Sequence, residues 1–370
     1  MEPTRRYSGM KWILGTAAFL FAALLGLLLL ILIGSSIGAI PLYFGMVLAM
    51  LPVPFYLALV LWIDRYEKEP LTMLAGAFVW GATVATLFSY LTNSSYSAII
   101  GSLVSPAAGE VFSSVVSAPI AEESSKALAL FSLYFWKRDE FDGVIDGIVY
   151  AAMVGLGFAT VENVLYYGVA VLEGGAVDSL ITFIVRGVLS PFNHPILTSM
   201  TGIGLGLAIE SNKTYIKFVA PALGLLLAIL AHSVWNLWAL LPLGWIVVLL
   251  FLEVPLAAGV LAVVVISLGR EGRIIRYYLS PELETGLLSH EEYESLCTVR
   301  GRLEDSFKAL INGGFKAWLF RGRFQQAASE LAFLRDRVAR DEIIYDQTTA
   351  DREVAYIQLL RDLRLRMSGQ

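Results

Sequence analysis

The sequence predicts an all-α fold: a polytopic membrane helical bundle of about eight transmembrane helices with a small C-terminal cytoplasmic helical tail. Three observations predict it. Of the 370 residues, 57% are hydrophobic and 16% charged, and the mean hydropathy is +0.68; soluble domains carry about 25% charged residues. Eight apolar stretches reach the roughly 20 residues that a bilayer-crossing helix needs. Lys and Arg gather at alternate ends of those stretches.

The stretches run over residues 12–34, 39–63, 71–96, 111–136, 144–169, 180–209, 216–240 and 244–269. The first follows Arg5, Arg6 and Lys11, so a cleaved signal peptide competes with a retained span. Its apolar run exceeds a typical signal core and ends without a small-x-small cleavage site, so a retained span is expected. Basic residues near span ends stay cytoplasmic. Before Tyr277 there are 14 of them, and 12 lie at alternate ends: Arg5, Arg6, Lys11; Arg65, Lys68; Lys137, Arg138; Lys213, Lys217; Arg270, Arg273, Arg276. The intervening loops near 35–38, 97–110, 170–179 and 241–243 hold none. A missed span would scramble this alternation, so a multi-pass cell-membrane protein with both termini cytoplasmic is expected.

After this membrane domain (1–276), the tail (277–370) changes character. From Pro281 onward 13 basic and 15 acidic residues alternate along amphipathic stretches such as Phe324–Arg340 and Asp351–Arg366, with Leu331, Leu334 and Val338 at helix-face spacing. A solvated helical hairpin is expected. The stretch beginning at His290 is not a His-Glu-x-x-His zinc motif, because position 294 is glutamate. The lone Cys297 cannot form an internal bridge, and a net charge of −5 is no nucleic-acid footprint.

Four central stretches carry polar residues where lipid should be. They are Ala118-Pro-Ile-Ala-Glu-Glu-Ser-Ser-Lys126, Gly157-Phe-Ala-Thr-Val-Glu-Asn163, Pro191-Phe-Asn-His-Pro195 and Ala231-His-Ser-Val-Trp-Asn236. Each buried ionisable group costs roughly 2.5–3.5 kcal/mol on insertion scales, so such groups face a cavity or a partner. Glu123, Glu162, His194 and His232 lie 14 to 16 residues from the cytoplasmic ends of their stretches. At 1.5 Å per residue that is one shared level, about 21–24 Å deep. Lys126 is placed to reach back to Glu122 or Glu123, and His232 and Asn236 share a helix face. Pro119, Pro191 and Pro195 free backbone carbonyls, which is tolerated at this depth mainly beside a cavity or within protein. Arg186, near an outer end, is expected to snorkel, and Glu253 has no evident partner. Gly155, Gly157, Gly202, Gly204 and Gly206 are expected to permit close helix packing.

A carboxylate beside an imidazole activates water, and an Asn–His donor pair stabilises an oxyanion; both are parts of amide hydrolysis. No Gly-x-Ser-x-Gly elbow is present. Taken together, Asp64-Arg-Tyr-Glu-Lys-Glu-Pro70, Glu122-Glu-Ser-Ser-Lys126, Asp146-Gly-Ile-Val-Tyr150, Gly157-Phe-Ala-Thr-Val-Glu-Asn163, His194 and His232-Ser-Val-Trp-Asn236 resemble the PrsW family of intramembrane proteases, related to the ABI/CAAX-processing proteases. The resemblance covers roughly residues 55–240, with a catalytic core over about 111–240. It implies a glutamate-dependent peptidase acting on a membrane-anchored protein substrate within the lipid bilayer. The site it implies comprises Glu122, Glu123, Lys126, Glu162, Asn163, His194, His232 and Asn236. Glu122 or Glu123 acts as base, Lys126 holds the other carboxylate, and His194 or Glu162 orients the water. His232 and Asn236 carry the oxyanion.

Related enzymes place a basic residue one position later than Lys126 and a histidine at the position of Glu162. The close, fixed ligand spacing of an established zinc motif is missing, so a glutamic mechanism without a cofactor is expected. Zinc held by Glu123, Glu162, His194 and His232 is its variant. The alternatives from other classes are a proton-coupled transporter and a non-catalytic scaffold; a transporter predicts paired repeats, and the polar residues instead cluster in stretches four to seven.

Overall fold

Helix breakers and polar segments divide the chain into a run of helices, with no strand among the described residues. The computed structural model describes residues 4–138, 140–190, 192–340 and 343–368, and side chains between 15 and 367 of these. Pro191, named above beside His194, and the side chains of Arg5, Arg6 and Lys11 lie outside this set. Two units are formed: residues 1–63 with 69–261, and residues 64–68 with 262–370.

The first unit contains α1 (Thr4–Ile37), α2 (Ala39–Met50), α3 (Val53–Ile63), α4 (Leu71–Trp80), α5 (Thr86–Leu103), α6 (Pro106–Phe112) and α7 (Ala118–Trp136). It continues through α8 (Val144–Phe183), α9 (Asn193–Glu210), α10 (Thr214–Ala239), α11 (Gly244–Val248) and the start of α12 (Val254–Tyr278). Among the described residues, six segments are long and apolar enough to cross a bilayer: Gly15–Ile37, Ala39–Ile63, Leu71–Leu103, Val144–Glu210, Thr214–Ala239 and Gly244–Tyr278. The stretches expected at 144–169 and 180–209 fall within one of these, interrupted at Gly175, whose φ of 68° departs from the helix. The stretch expected at 111–136 is absent from the six; it carries Glu122, Glu123 and Lys126 at its centre.

The helix α8 extends well past the expected residue 169 because nothing before Gly175 breaks it. It is the buried axis of the unit, with every residue from Val144 to Thr160 buried. Small residues allow this. A Cβ added to Gly157 would lie 2.0 Å from the Phe78 carbonyl oxygen, and one on Gly147 would lie 2.2 Å from that of Gly202. The glycines of α8 and α9 therefore act as the sequence suggests, bringing backbones together where a side chain would hold them apart.

Four turns widen to π geometry: Gly81–Ala85, Ser113–Ser117, Ile184–Leu189 and Leu249–Glu253. Three end two residues before a proline in the sequence, at Pro119, Pro191 and Pro255. A proline has no N–H for the carbonyl four residues back and its ring crowds that carbonyl, so a widened turn relieves the clash. The Ser113–Ser117 turn sets the rotational phase of α7 and thus the direction of Glu122 and Glu123.

The second unit joins residues 64–68 and the end of α12 to α13 (Ser280–Glu284), α14 (His290–Leu296), α15 (Val299–Ala339) and α16 (Gln347–Ser368). Its core holds Tyr66, Leu279, Leu288, Leu296, Phe324, Leu331, Leu334 and Leu360. Leu331 and Leu334 are buried as the sequence spacing predicts, and Val338 is half-buried. Arg302 is buried too, donating to the Leu296 carbonyl (2.9 Å) and to Ser329 Oγ (2.6 Å) beneath the Tyr66 ring. Burial pulls its guanidinium down to about 10.

Candidate active site

The helix α7 presents Glu122, Glu123 and Lys126, all buried. Consecutive residues diverge by about 100° around a helix, so the two carboxylates have different fates. Glu123 is fully engaged. Its Oε1 accepts from Lys126 Nζ at 2.9 Å and lies 3.1 Å from His232 Nδ1, and its Oε2 accepts from Thr198 Oγ1 at 3.0 Å. Glu122 is not. Its Oε2 accepts no hydrogen bond and stands 3.5 Å from Lys126 Nζ and 3.8 Å from His232 Nε2.

Lys126 has no exposed surface. Its ammonium sits 3.8 Å from the centre of the Phe158 ring and 2.9 Å from His194 Nδ1. An ammonium only donates, so His194 Nδ1 carries the lone pair and Nε2 carries the proton. That Nε2–H donates to Glu162 Oε2 at 2.8 Å. The same logic applies to His232: its Nδ1–H donates to Glu123, which leaves the Nε2 lone pair towards Glu122. The two imidazole rings lie 5.3 Å apart, edge to face.

Glu162, on α8, is further held by Arg186 from the π turn that follows that helix. Arg186 Nε donates to Asn163 Oδ1 at 2.7 Å, and its guanidinium lies 3.7 Å from the centre of the Tyr166 ring. The expectation of a snorkelling cation is thus corrected: a half-buried carboxylate and an amide oxygen provide better partners than a distant headgroup. Glu253 is buried, and its Oε2 accepts no hydrogen bond.

Seven of the eight residues singled out from sequence form one continuous polar cluster: Glu122, Glu123, Lys126, Glu162, Asn163, His194 and His232. Asn236 stands apart from His232's partners, donating instead to the Ser114 carbonyl at 2.8 Å. It still lines the same cavity as Glu122 and Glu162, a space of about 830 Å³. That cavity runs past Asn93 and Ser113 to Ser97, Glu110 and Leu240 at helix ends. Arg186, Thr198 and Ser114 were missed. For Thr198 a signal existed, since it follows His194 by four residues and shares its helix face; the Arg186 and Ser114 contacts cross between helices and leave no mark in spacing.

One donor atom from each of Glu122, His194 and His232 lies within 4.8 Å of the other two. The set fits a divalent cation in part, because the His194 Nδ1 lone pair is held by Lys126 Nζ at 2.9 Å and a cation would have to displace that ammonium. Glu122 Oε2 is buried without a hydrogen-bond partner, and each imidazole has a carboxylate on its other nitrogen, as metal-bound histidines do. Compared with the set suggested by sequence, Glu122 replaces Glu123 and Glu162, whose oxygens instead orient the two rings.

Residues 69–268 match a family model described as PrsW family intramembrane metalloprotease, a segment containing every candidate site residue. The chain is 34% identical over 163 residues to Protease PrsW of Geobacillus kaustophilus, covering 43% of this chain and 66% of that one. It is 30% identical over 161 residues to Protease PrsW of Bacillus subtilis (43% and 67%) and 29% identical over 222 residues to that of Clostridioides difficile (56% and 84%). No solved structure matches. Several bilayer-length apolar helices, together with the matched segment, identify a multi-pass membrane protein, and the chain belongs to the PrsW family of intramembrane proteases.

Proposed function

We propose that the chain hydrolyses peptide bonds in a membrane-anchored protein, with Glu122 as the base that activates water. One observation carries this reading: Glu122 lines a cavity of about 830 Å³ and keeps a buried oxygen that accepts no hydrogen bond, while the adjacent Glu123 is saturated. A general base needs a lone pair within reach of its water. Glu123 is the positioning partner that fixes His232. Glu122 takes the proton of a cavity water as that water attacks the scissile carbonyl. Asn236, turning its amide from Ser114, donates to the developing oxyanion, and the Glu122 carboxylic acid returns the proton to the leaving amine. The substrate helix must unwind first, because its amides are internally hydrogen-bonded.

A metal-dependent version is the second reading, favoured by the convergence of Glu122, His194 and His232. These three would hold the cation, which when bound supplies Lewis acidity and a more acidic water. In both readings Lys126, Glu123, Glu162 and Arg186 orient the imidazoles. We further read the chain as crossing the bilayer eight times, with α6–α7 as one crossing, residues 144–210 as two, and both termini in the cytoplasm.

The test is cleavage of a fluorescent single-span reporter library co-reconstituted with the purified chain in proteoliposomes. Glu122→Gln is expected to lose at least about a hundredfold in rate. Full activity in that variant would overturn the assignment, and activity surviving exhaustive chelation would remove the metal.

A further inference from the structure

The helix α15 breaks at Gly314, whose φ of 71° turns the chain back on itself. The two arms pair in an antiparallel register. Arg302 Nη2 donates to Ser329 Oγ at 2.6 Å, Gln325 Nε2 donates to the Arg302 carbonyl at 3.1 Å, and Ser306 Oγ reaches Gln325 Oε1 at 3.3 Å. The tip therefore comprises residues 306–323 and extends about 12 Å beyond the last of these contacts, at 1.5 Å per residue.

Its composition is unlike the rest of the tail. From Ser306 to Arg323 there are four basic residues, Lys308, Lys316, Arg321 and Arg323, and no acidic one. Apolar side chains are exposed on both arms: Phe307 is 63% exposed, Ile311 65% and Phe315 66%, with Trp318 stacked on Phe315. Behind the tip the second arm is packed normally, with Phe324 buried. Exposed apolar side chains are dense over this projecting end, where Phe307, Leu310, Ile311, Phe315, Trp318 and Leu319 are all exposed. Each arm carries its exposed apolar residues at i, i+3 and i+4, an amphipathic face interleaved with basic residues that suits a lipid interface.

We propose that this hairpin tip is an interfacial anchor that inserts into an anionic lipid surface. Charge complementarity selects the occupant. Lys316 and Arg323 are exposed, as is Lys308 beside Glu291 at 3.8 Å, and basic residues close to an anionic leaflet are attracted to it. A Trp and two Phe match the aromatic belt of the headgroup region. The break at Gly314 limits the depth: amides at an interrupted helix need water or headgroups, so the tip lies in the interface and not in the hydrocarbon. Lipid is always at hand, because the unit is joined directly to α12, which has the length and apolarity of a membrane span.

The experiment uses the full chain with Cys297→Ser, spin-labelled at Ile311→Cys or at the exposed control Arg352→Cys, in single-copy lipid nanodiscs. In discs of phosphatidylcholine with phosphatidylglycerol, the 311 label is expected to show a several-fold higher ratio of oxygen to nickel-chelate accessibility than the 352 label. Combining Lys308→Glu, Lys316→Glu and Arg323→Glu is expected to abolish that difference. A 311 label as open to the nickel chelate as the control would overturn the proposal. So would a label shielded from both reagents, which indicates a covering protein, or spin–spin broadening only in two-copy discs, which indicates a second copy of the chain.

Discussion

Lys126 donates to His194 Nδ1 across 2.9 Å, and this contact determines where the protons of the cluster sit. With Nδ1 accepting, Nε2–H must face Glu162, and the carboxylate that receives it is held by Arg186. A lysine, two histidines and three glutamates thereby lock one another within a space where each alone would be costly to bury.

The lock makes Lys126 a stability residue as well as a site residue. Lys126→Met leaves Glu123 buried without its cation, and removing one partner of a buried pair costs about 3–5 kcal/mol. Chemical denaturation in detergent micelles is expected to show a loss of that order.

The two adjacent glutamates should separate in opposite ways. Glu122→Gln is expected to abolish cleavage while leaving the thermal transition unchanged or raised, because it neutralises a buried oxygen that accepts no hydrogen bond. Glu123→Gln is expected to lower the transition, because it disrupts contacts to Lys126, Thr198 and His232. Paired melting and cleavage assays check both.

In the proposed mechanism Arg186 acts through Glu162, which it grips from the turn after α8. Arg186→Gln is expected to lower kcat about tenfold to a hundredfold with little change in KM, the usual consequence of losing an outer orienting partner. Arg186→Lys keeps the charge but loses the two-pronged grip on Glu162 and Asn163, so partial rescue is expected. Steady-state kinetics separate the two parameters.

Packing around α8 leaves no space for a methyl group. Gly157→Ala would place a carbon 2.0 Å from the Phe78 carbonyl oxygen, a backbone atom that cannot rotate aside. A loss of at least about 1–3 kcal/mol is expected from overpacking of this kind, measurable by the same denaturation series.

In the second unit, burial pushes the Cys297 thiol from its ordinary value near 9 up to about 11. The neutral thiol is favoured in the folded state, so its contribution to stability is complete below pH 9 and is lost as pH rises towards 11. Alkylation of the native chain at pH 8 should be slow and should accelerate on unfolding; equal rates in both states would contradict this.

The Arg186 correction shows why some of the site was hidden from sequence. Depth along a helix is a linear count, so Glu123, Glu162, His194 and His232 could be assigned one level from spacing alone. Rotation about each helix axis depends on local irregularities such as the Ser113–Ser117 turn, which no hydropathy pattern records. Contacts between helices, such as Arg186 to Glu162 and Asn236 to Ser114, depend on those rotations.

Composition and periodicity alone determined that this chain is helical and membrane-embedded, because the hydrophobic effect and backbone hydrogen-bond satisfaction act on every segment independently. They also marked the stretches that carry the buried ionisable groups. Only the tertiary structure decided that Glu122 faces the cavity while Glu123 is consumed by Lys126, Thr198 and His232. Two neighbours on one helix look alike in sequence, and what distinguishes them is the set of atoms that other helices bring within 3 to 4 Å.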